Sequence, residues 1–257
     1  MSASMSSGRS ALSAPRGRPG TVSRFPWIVA SGQIAFTLLM AAGFAVAVAV
    51  VVISLAWRSD VTASIWEASS NAVPWYAAFM AGYTFHQVVP MLIANGKTRR
   101  DASIDAAQVI GAQAFVIALL VTLGYLVEWV VYRWQEWPLG TISGNHLFTR
   151  HTQVGVIFWE SFLTMVVWSS IGAFVGAALY RHERLGWVSL IPAALILSFV
   201  GIFITTEAPL FENMIEQLLS GGVRSLAGAT LAVAVAVAIS GVILWSIVRD
   251  MPLRRWR

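Results

Sequence analysis

Apolar residues fill the chain in six long blocks separated by short polar interruptions, at about 27–56, 73–94, 106–132, 154–180, 187–205 and 225–248. Each is close to the ~20 mainly apolar residues that a helix needs to cross the ~30 Å hydrocarbon core of a bilayer. Lipid offers no partner to a backbone N–H or C=O, so such blocks predict helices, or strands only if a barrel can close. The stretch "LAVAVAVAIS" in the sixth block does alternate. It alternates Ala with Val and has no polar face, which suits a lipid-facing helix better than a barrel strand. The expected architecture is all-α, a polytopic membrane protein with a six-helix transmembrane domain over 25–248.

Composition agrees with this reading. Of the 257 residues 57% are hydrophobic and only 11% charged, against roughly 25% charged in soluble domains. The 12 Trp suit membrane interfaces, where an apolar ring and one N–H both find partners. With no Cys, disulfide frameworks and thiolate metal sites are excluded. Residues 1–24 are mostly Ser, Gly, Pro, Ala and Arg, which predicts a disordered or interfacial arm. The run after it is too long for a signal-peptide core, so it is expected to stay as an anchor. Residues 249–257 form a basic tail.

The placement of charge orients the chain. Thirteen of the 17 Lys and Arg fall on the termini and the second and fourth loops: Arg9, Arg16, Arg18, Arg24, Lys97, Arg99, Arg100, Arg181, Arg184, Arg249, Arg254, Arg255 and Arg257. Four, Arg58, Arg133, Arg150 and Arg224, fall on the odd loops and adjacent helix ends. Basic loops stay cytoplasmic, so both termini and the Lys97 loop are expected inside the cell. The net charge of +5 is thereby accounted for without nucleic acid.

The loop between the second and third blocks reads "MLIANGKTRRDASID" and contains the GKT that ends a P-loop. A P-loop needs G-x-x-x-x-G-K-[ST], because the first Gly lets the backbone wrap the phosphates. That position is Met91, so the loop cannot cradle a nucleotide. Asn95 and Gly96 suit a helix C-cap. Thr98 can cap a new helix, with Asp101 in its first turn. A short cytoplasmic helix between two spans is expected, its cations Lys97, Arg99 and Arg100 meeting either lipid headgroups or a partner.

Other candidates are weaker. Glu128 and Glu160 lie near the outer ends of the third and fourth spans, where they either face water, bind Arg133 or Arg150, or serve a site. His86, in "YTFHQVVP", lies deeper, as a core histidine, a substrate contact or a proton carrier, and Pro90 after it is expected to kink the helix. Gly172 and Gly176 have the GxxxG spacing of close helix packing. In "TEAPLFENMIEQLLSGG" an apolar stripe including Phe211 opposes Glu212 and Glu216, which predicts an interfacial helix. "RHERLG" is expected as a tight inner turn, and its His182–Glu183 pair lacks the H-E-x-x-H spacing of a metal site. Two function classes follow from the residues: an ion-coupled secondary transporter using Glu128, Glu160 or His86, and an intramembrane lipid-modifying enzyme, for which no clustered catalytic set stands out.

A third comes from resemblance. The six-span layout, "ANGKTRRD" and the third-span ending "YLVEWVVYRW" resemble the permease subunit of a bacterial, actinobacterial-like ABC-2 (type V) exporter, whose members carry G-x-[ST]-R-R between their second and third spans. The resemblance implies that Gly96, Lys97, Thr98, Arg99, Arg100 and Asp101 dock a separate ABC ATPase subunit. It implies no cofactor in this chain, with MgATP held by that ATPase. It also implies a second permease copy or sister permease and a pathway at their interface, lined by Phe79, Tyr83, His86, Phe199 and Phe203. The segment holding Phe211 would close the outer end as a re-entrant element. The chain would be an exporter subunit of the cytoplasmic membrane, moving hydrophobic or amphiphilic cargo among membrane lipids.

Overall fold

The computed structural model describes residues 25–57, 64–137, 146–204 and 225–251. The arm 1–24 and the residues 205–224, with Phe211, Glu212 and Glu216, lie outside them. The described chain is helical: α1 Phe25–Ala56, α2 Ile65–Ser70, α3 Val73–Tyr83, a π turn Thr84–Val88, α4 Val89–Ala94, α5 Arg99–Trp134, α6 Val154–Arg181, α7 Glu183–Val188, α8 Leu190–Ile204 and α9 Leu226–Val248. Six stretches of it are long and apolar enough to cross a membrane. The protein is a multi-pass membrane protein.

α6 is the centre of the bundle, contacted by α3, α5, α7, α8 and α9. The α3–α6 seam is the closest. A Cβ on Gly172 would stand 2.0 Å from Ala78 O, and one on Gly176 2.2 Å from Gly82 O. The two backbones therefore touch, as the GxxxG spacing led us to expect. Three buried clusters surround α6, one at each end and one beside α8 and α9. α1 stands at the edge, leaning on α5, with Leu39, Val46 and Val50 exposed on its free sides.

Proline breaks two of the spans. Pro90 cannot donate to His86 O, and its ring would press on that carbonyl. The chain widens there into the π turn, and Val89 N–H bonds Thr84 O instead. Pro192 acts likewise on the fifth span, which the block 187–205 predicts as one helix. It is two, α7 and α8, parted at Ser189. α7 also replaces the expected tight turn at "RHERLG", because the His182 side chain caps it by accepting from Arg184 N–H.

A larger correction concerns the third span. The separate short helix expected at 98–105 does not exist. α5 is one rod of 36 residues, about 54 Å long. Nothing in "RRDASIDAAQ" breaks a helix, and Ala102 and Ala106 continue the buried stripe into the cluster around Leu92 and Val89.

The hydrogen bonds sort the loops into two ends. Residues 95–99, Arg181–His182 and Arg249–Met251 share one, the turn end. Residues 64–72 and 146–153 share the other with the C-terminal part of α5 and the start of α6, the cap end. Among the described residues, Lys97, Arg99, Arg100, Arg181, Arg184 and Arg249 lie at or near the turn end, and Arg133 and Arg150 at the cap end.

Candidate functional site

Two polar constructions bound the bundle. At the turn end, Gly96 has φ +89, a conformation that suits glycine. Its N–H bonds Ile93 O, and Lys97 N–H bonds Leu92 O, closing α4. Thr98 caps α5 by accepting from Asp101 N–H at 3.1 Å, and its hydroxyl donates to Asp101 Oδ2 at 2.8 Å. Lys97 pairs with Asp105 one turn further on. Arg99 reaches across to the end of α9 and donates to the carbonyls of Arg249 and Met251. The six residues predicted for docking therefore divide. Arg99 and Lys97 tie the turn to helices, whereas Arg100 is exposed and, among the described residues, makes no hydrogen bond or ion pair.

At the cap end, Glu128 and Glu160 are buried at 8% and 4% exposure. Neither binds Arg133 or Arg150. Ser64 O–H donates to Glu128 Oε2 at 2.7 Å and Trp66 N–H to Oε1 at 3.0 Å, so the carboxylate closes the N-terminus of α2. His151 Nε2 is 4.0 Å away. Glu160 Oε2 accepts Leu147 N–H at 2.8 Å, and its Oε1 is 2.7 Å from His146 Nδ1. His146 Nε2 faces Glu67 at 3.5 Å, and its ring stacks on Phe148. Burial opposes a charge on His146, but the hydrogen bond and charge of Glu160, with those of Glu67, raise its pKa above the ordinary value. The two glutamates, on the third and fourth crossings, thus clasp the connections that lead into the second and into the fourth. His146 and His151 escaped the sequence reading. The signal was "HLFTRH" lying between two spans that each carry a glutamate near the same end.

A third polar group lies inside the bundle. Gln33 Nε2 donates to Thr84 Oγ1 at 2.9 Å. Thr37 donates to Gln33 O, so Tyr76 O–H, 2.9 Å away, donates to Thr37. Gln33 Oε1 is buried and accepts no hydrogen bond among the described residues. Lone glutamines within apolar spans were its signal in the sequence.

The residues predicted for a pathway do not converge within one chain. α3 and α8 lie on different sides of α6. Phe79 is 69% exposed, Tyr83 and Phe199 are exposed, and Phe203 is half-buried against Phe199. His86 sits on the π turn, 2.9 Å from Gln87 Nε2 and edge-on to Tyr180.

Instead, a groove of about 830 Å³ runs between α1 and α5, with α2 and α3 behind it. Its walls are nearly all apolar, including Met40, Phe44, Val48, Val121 and Gly124. Trp66 forms part of the wall, its indole lying where a Gly124 Cβ would be and its Nε1–H donating to Val121 O. Glu128, Tyr132 and Trp66 stand together at the cap end of the groove. Compared with family models, curated proteins and solved structures, the chain matches none.

Proposed function

We propose that the chain is the permease subunit of an ATP-driven ABC-2 type exporter, with no catalysis of its own, in a bacterial cytoplasmic membrane. The turn end faces the cytoplasm, following the excess of basic residues there. A separate ABC ATPase docks on the Gly96–Asp101 turn, and the permease pairs with a second copy or a sister chain. The observation that carries this reading is the construction of the turn. Its tip is exposed at Arg100, while its base is bonded into α4, α5 and α9. A push on such a tip moves helices rather than bending a loop. That is the mechanical requirement for a chain that has no nucleotide site and draws on a partner's ATP hydrolysis.

Within this reading Arg100 makes the partner contact, and Arg99 holds the turn to α9. Phe79, Tyr83 and Phe199 face outward, where a second permease would cover them. Glu128 and Glu160 hold the cap and carry no proton across the bilayer.

Affinity purification of the full chain from its host in a mild detergent, followed by mass spectrometry, tests the reading. An ABC ATPase should copurify, and Arg100→Glu should cut its retention at least tenfold. Recovery of the chain without any ATPase, or full retention in Arg100→Glu, overturns it.

A further inference from the structure

The groove between α1 and α5 has a polar end and an apolar length, and both bear on what it holds. The α5 residues that line it run from Ile117 to Tyr132, and from Ile117, the innermost of them, up to Glu128 is 11 residues, about 16 Å of helix. Half of a ~30 Å hydrocarbon core is about 15 Å. From Glu128 inward the groove is therefore about one leaflet deep, and Glu128 itself lies about two turns from the end of α5. That matches a molecule inserted from one membrane surface, head at the interface and tail toward the midplane. Its volume of about 830 Å³ falls in the ~300–1,000 Å³ range of small-molecule sites.

The head position is chemically selective. Glu128 is held by Ser64 O–H and Trp66 N–H, which satisfy its oxygens without carrying opposite charge. The one ion-pairing partner near it among the described residues, His151, stands at 4.0 Å. Trp66, whose indole lies against Gly124 and Val121, and Tyr132 line the same groove as Glu128. A carboxylate attracts an ammonium through its charge, and aromatic rings lining the same groove add to the attraction through their faces. It repels a phosphate or sulfate.

We infer that this groove is a binding site for a single-chain cationic amphiphile, with the ammonium at Glu128, Trp66 and Tyr132 and the tail along Met40–Val48 of α1. The site is complete in one chain. That it serves the cargo of an exporter rests on the proposed function; that it binds does not.

The test uses the full chain in nanodiscs of a neutral galactolipid, which supplies no competing amine. Three dodecyl probes carry a photoreactive diazirine in the tail and differ only in the head: ammonium, hydroxyl or sulfate. After illumination, labelled peptides are mapped. The ammonium probe should label the 40–48 and 117–124 segments at least tenfold more than the hydroxyl probe, and the sulfate probe less than either. Glu128→Gln should reduce ammonium labelling to the hydroxyl level. Ala41→Phe fills the groove but leaves Glu128 and the cap in place, so it guards against misfolding of the first variant; it should suppress labelling by both heads. Equal labelling by all three probes overturns the site, as does an ammonium preference that survives either substitution. Neither outcome touches the copurification of an ATPase, so the two proposals stand or fall separately.

Discussion

Replacing Gly172 by alanine probes the tightest contact in the bundle. The new Cβ would stand 2.0 Å from Ala78 O and 2.6 Å from Ala78 C. Both are backbone atoms of α3, so no side chain can swing aside. Contact distances between carbon and oxygen exceed 3 Å, and relief requires α3 and α6 to part by about an ångström along the seam. Overpacking of this kind costs about 1–3 kcal/mol, and a backbone clash belongs at the upper end. Alanine recovers up to about 1 kcal/mol through helix propensity, leaving a net loss of about 2 kcal/mol. Gly111→Ala on α5 is the control, since nothing lies within 4 Å of its new methyl. It should be neutral or stabilising by up to about 1 kcal/mol. Equilibrium unfolding in mixed dodecyl sulfate micelles, followed by far-ultraviolet circular dichroism, measures both. A Gly172→Ala protein as stable as the parent, or a Gly111→Ala protein equally weakened, would refute the argument that backbone contact rather than glycine content holds this seam.

Two further predictions concern the ends. His146 has a raised pKa because Glu160 and Glu67 outweigh the effect of burial. Its clasp is therefore at full strength below the ordinary histidine value of about 6.5 and is lost as the pH rises through the raised value. Thermal unfolding between pH 5 and pH 9 should show this fall in the parent, and His146→Gln should remove that component; an unchanged pH profile in the variant would exclude His146 as its source. At the turn end, Gly96→Ala forces a left-handed conformation on a residue with a Cβ, at a cost of about 1–2 kcal/mol. The same micelle titration reads it, and no loss would mean that the turn relaxes without strain.

The spans were legible because lipid leaves few options. In lipid a block of twenty apolar residues satisfies its backbone only as a helix or in a closed barrel, and most of the predicted boundaries fall close to the helices. The interruptions were less legible. Pro90 announced a kink but not its form, since whether a helix bends, breaks or widens into a π turn depends on what packs beside it. The join between turn and third span was misread for a different reason. Polar residues at 99–105 lie outside the apolar block, so hydropathy reads them as a short helix separate from the third span, yet they are the first turns of α5 itself. The cap was hardest to see. Glu128 and Glu160 were noticed, but their partners Ser64, His146 and the Trp66 and Leu147 backbones come from connections with no periodic pattern, so only the folded chain brings them together.

The two ends matter to each other because α5 belongs to both. Its first residue, Arg99, is bonded to the end of α9, and about eight turns later Glu128 holds α2. A helix is stiff over this length, so a displacement imposed on the turn reappears at the cap and does not dissipate on the way. The seams around α5 differ in how they accommodate such a displacement. α3 and α6 meet backbone to backbone and have no room to slide. α5 meets α6 through side chains, Phe115 against Phe158 and Phe162 among them, and side chains repack. Under the proposed function α3 and α6 are then the stator, and α5 is the lever. α1 leans on α5, and the groove between them carries Glu128 on its α5 wall. A partner acting at Arg100 would therefore move the wall that holds the head of the bound amphiphile. Docking and release would be coupled through one helix, with no need for a wire of side chains across the bundle.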